Sequence, residues 1–416
     1  MRKQNSIILL IFLFMAGTLF AQSPIHQSAP NPLKPIGINL SLWKGISTQT
    51  TDSIGTTAFN LGFFSLQNNL TGLGINILGS NTSQDVRGIQ LAGFSNNVGR
   101  RMQGIQLAGI TNINKHGYQG LSVAGMVSIN GNEGIGILAS GLASIIGDNN
   151  RGITVSGLMN FIGDNNSGLQ LTGIANITGN NYRGLTLSGL MNVAGGSSTG
   201  VQAGGLLNIT GEDMRGLQLS GIGNVVGGKL RGVQIGLLNM VSYAKGVQIG
   251  LFNYYKEKFD GLQLGLFNAN PHTRIQLLVS SGNTTKLNLG ARFKNNSIYT
   301  ILGVGAPYFD FNEKLSGAVF YRAGAELPLC KRLFVSGDLG YSHIETFRKD
   351  DANCPARLYS LQTRINLEYK LAGNTGLFVS GGYGWDRYYD HNATYDKGII
   401  IEGGIVLFRY TAHRIQ

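Results

Sequence analysis

Glycine returns every 16 residues through the middle of this chain, which restricts the fold to stacked coils or a series of like strands. A unit opens at Gly88, Gly104, Gly120, Gly136, Gly152, Gly168, Gly184, Gly200, Gly216 and Gly232, each 16 residues from the next. A second glycine follows five residues later in nine successive units, from Gly93 to Gly221. The typical unit reads G-L-Q-L-S-G-L-M-N-V-x-G-x-N-x-R. Unit positions 2, 4 and 7 are always apolar, as in Leu185, Leu187 and Leu190, and position 10 is nearly always so, as in Ile177 and Val193. Position 9 is Asn or Ser in each of the nine full-length units, and position 12 is glycine in all nine but one, where Lys115 stands. Shorter units of 14 and 15 residues open at Gly232 and Gly246, and degenerate ones begin near Ala58 and Gly74. With 62 glycines in 416 residues and 13% charged residues, the chain is neither helical nor disordered. Interior glycine costs a helix about 1 kcal/mol each, and disorder needs more charge and less apolar content.

Two architectures can use such a unit. In a β-solenoid each unit is one coil: a strand over positions 1 to 5, a corner at the second glycine, another short strand, then a polar turn such as Asp148-Asn149-Asn150-Arg151. The apolar positions then stack into ladders, and a buried Asn ladder satisfies itself from coil to coil. In a transmembrane barrel each unit is instead one antiparallel stave with its turn. Three features favour coils. Staves alternate in direction and predict a 32-residue period, whereas all units here are alike. Residues 88–231 hold only Phe94, Tyr118, Phe161 and Tyr182 as aromatics, too few for membrane girdles. A mid-strand glycine weakens a stave, while a corner with positive φ requires one. Against this, Val247, Ile249, Leu251 and Asn253 alternate cleanly with Gln248, Gly250 and Phe252, as in one continuous strand.

Beyond residue 272 the texture changes, with 20 aromatic residues over 273–410. Val319, Tyr321, Ala323, Ala325 and Leu327 share one face of a strand, opposite Phe320, Arg322, Gly324 and Glu326. Similar alternation recurs over Leu361–Tyr369 and Leu377–Trp385, the apolar-out, polar-in pattern of a membrane barrel. Eight strands are predicted, starting near Arg274, Lys286, Ile298, Gly317, Leu333, Leu358, Gly376 and Gly398. Tyr383, Trp385, Tyr388 and Tyr389 cluster at one strand end, and the last strand closes on Phe408 and Tyr410.

The N-terminus reads as a secretory signal peptide: Arg2 and Lys3, an apolar run from Ile7 to Phe20, and cleavage after Ala21. The net charge of +12, of which Arg2 and Lys3 supply two, suits anionic lipid or glycan surfaces. The scattered basic residues and the export signal speak against nucleic acid. Cys330 and Cys354 are placed near opposite ends of one strand, which argues against a disulfide. No two of the histidines (His26, His116, His272, His343, His391, His413) stand at metal-ligand spacing. Asp386, Asp390, His391 and Asp396 come nearest to a constellation and read as a solvated loop. Asp148, Asp164 and Asp213 recur too sparsely for a calcium roll and read as turn formers. Arg87, Arg151, Arg183, Arg215 and Arg231 share unit position 16, as a ridge of solvated turn charges or, less simply, a basic ligand surface.

The G-[VIL]-Q-[IL]-G-L-[FL]-N units at Gly232, Gly246 and Gly261, with their longer relatives upstream, resemble a family of glycine-rich bacterial surface-repeat proteins over residues 37–270. That resemblance implies an envelope location and no particular reaction. The expected organisation is a signal peptide (1–21), a linker (22–36), N-terminal strands and degenerate repeats (37–87), the repeat array (88–272), a β-barrel-like domain (273–410) and a tail (411–416). The fold class is all-β: a solenoid followed by an eight-stranded outer-membrane-type barrel, the alternative being one large transmembrane barrel with each repeat a strand. The expected function is a non-enzymatic structural or binding role in the outer membrane of a Gram-negative bacterium, against a passive pore in the large-barrel case. No catalytic, metal or cofactor residue is assigned. Outer-membrane lipid is the expected partner, with envelope glycans or other surface proteins as further candidates.

Overall fold

The computed structural model describes residues 37–43, 45–48, 55–295, 297–307, 314–349, 357–371, 375–389 and 393–411. The predicted signal peptide and linker lie outside them, as does the tail beyond Thr411. The described residues form strands and turns without any helix.

Each full unit makes two strands. A longer one, such as Asn166–Thr172, starts two residues before the opening glycine, and a four-residue one, such as Ala175–Thr178, follows the second glycine. The polar turn is thus shorter than predicted, because Asn150 and Arg151 already belong to the strand Asn150–Ser156. Every strand pairs in parallel with its counterpart in the next unit. Gly152 lies beside Gly168 and Gly168 beside Gly184 in the longer strands, while Asn160, Asn176 and Asn192 align in the shorter ones. Parallel neighbours cannot be antiparallel staves, so the array is a solenoid and the single large barrel is excluded.

Both glycine columns are needed for this stacking, for different reasons. Gly168 has φ +136°, a backbone that side-chain-bearing residues avoid, and a Cβ there would lie 1.9 Å from the carbonyl oxygen of Gly152. Gly173, at the second column, is absent from the positive-φ glycines, but a Cβ would lie 2.2 Å from the carbonyl oxygen of Gly157. The positive-φ residue is therefore the opening glycine. The second glycine, predicted as the corner that needs that conformation, is required by the closeness of the preceding coil.

The short units preserve the coil. Gly232, Gly246 and Gly261 stay in register with one another. The alternation from Val247 to Asn253 does not form one strand, since Leu238–Ile249 ends before the bend at Gly250 and Leu251, and Phe252–Leu264 begins after it. Continuity arises at the opposite edge. There the polar turn is shortened, and the strand after one bend runs directly into the next long strand.

The coil interior is mostly polar. Asn176 Nδ2 donates to Asn192 Oδ1, Asn192 to Asn208, Asn208 to Asn224 and Asn224 to Asn239, each at 2.9 Å. The other Nδ2 hydrogen crosses the coil to a carbonyl, Leu187 for Asn176 and Ala203 for Asn192, both at 2.8 Å. A second column runs through position 3, where Gln218 Nε2 reaches Gln202, Gln234 reaches Gln218, Gln248 reaches Gln234 and Gln263 reaches Gln248 at 2.7–2.8 Å. Amide side chains suit such ladders because each carries donors and an acceptor that repeat at the strand spacing. Apolar clusters share the interior with the ladders, one around Met102, Tyr118, Leu138 and Ile146, another around Met214, Leu230 and Val241. At the N-terminal end Ile38–Trp43 folds back on Ile46–Ser47 as an antiparallel pair while also pairing in parallel with Thr56–Gln67.

The eight strands that follow close into a barrel: Arg274–Gly282, Leu287–Asn295, Ile298–Ala306, Lys314–Pro328, Leu333–Lys349, Arg357–Lys370, Gly376–Tyr388 and Thr394–Thr411. All neighbours are antiparallel, and the first strand pairs with the last. The last coil sits on the outward side of this barrel, with Phe267 edge-on to Phe293 at 5.0 Å. Tyr321 Oη donates to the Gly265 carbonyl at 2.8 Å, and Asn295 Nδ2 to the Asn268 carbonyl at 2.8 Å.

Candidate functional site

The apolar ladders predicted from positions 2, 4, 7 and 10 form, and they form on the outside. In the unit opening at Gly184, Gln/Thr position 3 and Asn position 9 are buried (Thr186 and Asn192), while Leu185 and Leu190 are exposed. The column at position 7 occupies the bend after the second glycine and is the most open, with Phe94 53% and Leu190 43% exposed. Period-two alternation dictates this outcome once the amides are inside, because residues 2, 4 and 10 must then face outward. The outer sides therefore carry Ile, Leu, Val and Met where a soluble solenoid carries polar residues.

Charge is confined to the opposite edge. From Gly88 to Asn270 every charged residue falls between position 11 of one unit and the opening glycine of the next. The predicted ridge is real: Arg151 aligns with Ser167, Ser167 with Arg183, Arg183 with Thr199 and Thr199 with Arg215, and these arginines are exposed. Beside it the turn residues Asn149, Asn165 and Asn181 form an outer ladder at 2.9–3.0 Å. The aspartates serve turn geometry, as Asp164 Oδ1 accepts from Asn180 Nδ2 at 3.0 Å and Asp213 Oδ1 from the Lys229 N–H at 2.8 Å. A shallow polar groove of about 690 Å³ follows this edge between Glu133 and Thr199. At its floor burial raises the Tyr182 hydroxyl above the ordinary phenol range, and that hydroxyl donates to the Gly168 carbonyl at 3.1 Å.

The barrel has the same polarity. Outward side chains include Leu339, Ile365, Val379, Ile399 and Ile401, with Ile365 68% exposed. The lumen is crossed by ion pairs. Arg292 meets Glu368 at 2.6 Å from the far wall, Arg322 meets Glu402 at 3.4 Å, Arg364 also contacts Glu402, and Lys294 contacts Glu326. Tyr299, buried among them, donates to Asp338 Oδ2 at 2.9 Å. These side chains fill the interior as small barrels generally do. At the end holding the long connections, Tyr341, Tyr359 and Tyr389 gather with His343, whose Nδ1 lies 2.8 Å from the Tyr389 hydroxyl.

The sequence constellation is only partly placed. Asp386 lies opposite Asp396 in register, and Asp390 and His391 are outside the described residues. Among the described residues no three His, Cys, Asp or Glu side chains gather as metal ligands. Cys330 is exposed, and Cys354 is outside the described residues. What sequence reasoning missed is the Gln column and the outward turn of the leucines. The signal for both was present in the charge-free stretch from position 1 to position 10 of every unit.

No protein-family model matches this chain, and no curated protein matches it. Solved structures match the barrel third. A structure from the de novo design of transmembrane β-barrels is 13% identical, over 33% of this chain and 94% of its own, at a TM-score of 0.22. The N-terminal β-barrel domain of Pseudomonas aeruginosa OprF is 12% identical over 33% and 96%, at 0.23. Ail, the attachment invasion locus protein of Yersinia pestis, is 14% identical over 33% and 95%, at 0.21. Likeness at this level bears on neither activity nor partner.

Proposed function

We propose that the chain is a non-enzymatic outer-membrane protein whose barrel is its anchor and whose repeat array is its working surface. One observation carries this: a closed eight-stranded barrel turns aliphatic side chains outward and seals its lumen with cross-wall ion pairs. A wall of exposed isoleucine, leucine and valine is costly in water and at rest in lipid. A filled lumen favours anchoring over conduction. The array then supplies a long regular surface for a structural or binding role in the envelope, with glycans or surface proteins meeting its charged edge. Membrane fractionation with gel mobility before and after boiling tests the anchor. Heat-modifiable migration in the outer-membrane fraction is expected, and a soluble protein with one mobility would overturn the reading.

A further inference from the structure

We infer that the repeat array is itself a lipid-binding element, an inside-out solenoid that lies against the bilayer with its leucine-rich bend inward and its charged edge in water. This rests on the reading of the barrel as a membrane anchor and extends it to the other two thirds of the described chain.

Four observations converge. The array cannot bury its apolar columns, since its interior is already occupied by the Asn and Gln ladders. The outward columns are continuous from coil to coil. With coils about 4.8 Å apart and four residues spanning about 13 Å, twelve coils present roughly 700 Å² on each side of the bend. That exceeds the largest apolar patch of an ordinary soluble monomer, roughly 300–600 Å². Charge is segregated to the edge opposite the bend, where Arg151, Arg183, Arg215 and Arg231 line up. An apolar body with a basic rim is the pattern by which amphipathic elements sit at anionic lipid interfaces.

The fourth observation selects lipid over other occupants. The array does not stand off from the barrel, because its last coil rests on the barrel's outward wall. Phe267 meets Phe293, and Thr300 Oγ1 and Tyr321 Oη donate to the carbonyls of Leu266 and Gly265 at 3.3 and 2.8 Å. The apolar columns therefore begin where the lipid-facing wall of the barrel ends, near the rim that holds the short Asn295–Ile298 connection. Whatever medium bathes that wall meets the array as well.

Single cysteines in a Cys330→Ser, Cys354→Ser full-length background test this. Leu190→Cys and Leu206→Cys report the bend, Asn181→Cys the charged edge, and Val379→Cys the barrel wall. Each is labelled with an environment-sensitive fluorophore and folded into phosphatidylethanolamine–phosphatidylglycerol vesicles with or without doxyl-labelled lipid. Acyl-chain doxyl groups should quench the bend and wall labels about twofold while leaving the Asn181 label at its initial intensity. Quenching at Val379 without quenching at Leu190 and Leu206 overturns the inference and leaves the anchor intact. Equal quenching at Asn181 also overturns it. Bend labels that avoid lipid and instead crosslink between molecules show that a second copy covers the bend. Absence of quenching at Val379 overturns the anchor reading itself.

Discussion

Replacing Asn192 with alanine probes the inverted packing at its most exposed assumption, that the amides are the core. Asn192 is 1% exposed and makes four hydrogen bonds. Its Oδ1 accepts from Asn176 Nδ2 at 2.9 Å and Thr186 Oγ1 at 2.8 Å, and its Nδ2 donates to Asn208 Oδ1 at 2.9 Å and the Ala203 carbonyl at 2.8 Å. Asn192→Ala strands one hydrogen of Asn176, the acceptor of Asn208 and the hydroxyl of Thr186, all in buried side chains. A buried group left without its partner costs about 1–3 kcal/mol, and water entering the vacated space offsets part of it, so about 3–6 kcal/mol is expected. Coils contact only their neighbours, so the loss should be local to the coils around residues 176–208. Amide hydrogen exchange on the full chain in detergent reads it there, as a fall in protection of about 10²- to 10⁴-fold. Leu190→Ala is the counterpart. A leucine in a conventional core would cost about 2–5 kcal/mol, but on the outer bend in detergent it should cost under about 1 kcal/mol. If Leu190→Ala lowers protection more than Asn192→Ala does, the leucines are inside and the packing described here is wrong.

Gly168→Ala combines a forbidden φ with a clash against Gly152, and should cost about 3 kcal/mol or more, seen as new proteolytic cleavage near that coil. Asn181→Ala, which removes two exposed turn bonds, the one its Nδ2 donates to Asn165 and the one its Oδ1 accepts from the Ser197 N–H, should cost under about 1 kcal/mol by the same exchange measurement. Glu402→Gln leaves Arg322 and Arg364 in the lumen without their shared counter-charge and should destabilise the barrel by about 3–5 kcal/mol, lowering the temperature at which the folded gel band disappears. The wild-type protein in planar bilayers should show no steady open conductance, and a stable open channel would refute the filled lumen.

The architecture was legible where the sequence repeats or alternates, and its polarity was not. Barrel strands begin at Arg274, Ile298, Leu333 and Gly376 as alternation predicts, while those expected near Gly317 and Gly398 begin at Lys314 and Thr394, because the pairing extends past the apolar stretch into polar residues. The uniform 16-residue unit implied like coils, and the parallel register of Gly152, Gly168 and Gly184 agrees. Alternation, however, says only that Leu185 and Leu187 share a face opposite Thr186. Which face is inside depends on what surrounds the array, and that medium leaves no mark on the period. The Asn column was recognisable because an amide at fixed spacing can bond to its own copies. The Gln column was obscured by Ser122, Leu138, Thr154 and Thr186 standing in the same place. The Gly246 unit misled for a related reason: its shortened turn restores two-residue alternation across a bend that persists at Gly250.

Because each coil repeats the register of the one before, with the hairpin of Trp43 and Ile46 at one end and the barrel wall at the other, the two terminating structures are indifferent to how many coils lie between them. Duplication or loss of one 16-residue segment would translate one terminus relative to the other by about one strand spacing, roughly 4.8 Å, and leave every remaining contact type intact. Span is thus a heritable quantity that can drift by recombination between near-identical stretches of coding sequence, independently of the chemistry at either terminus.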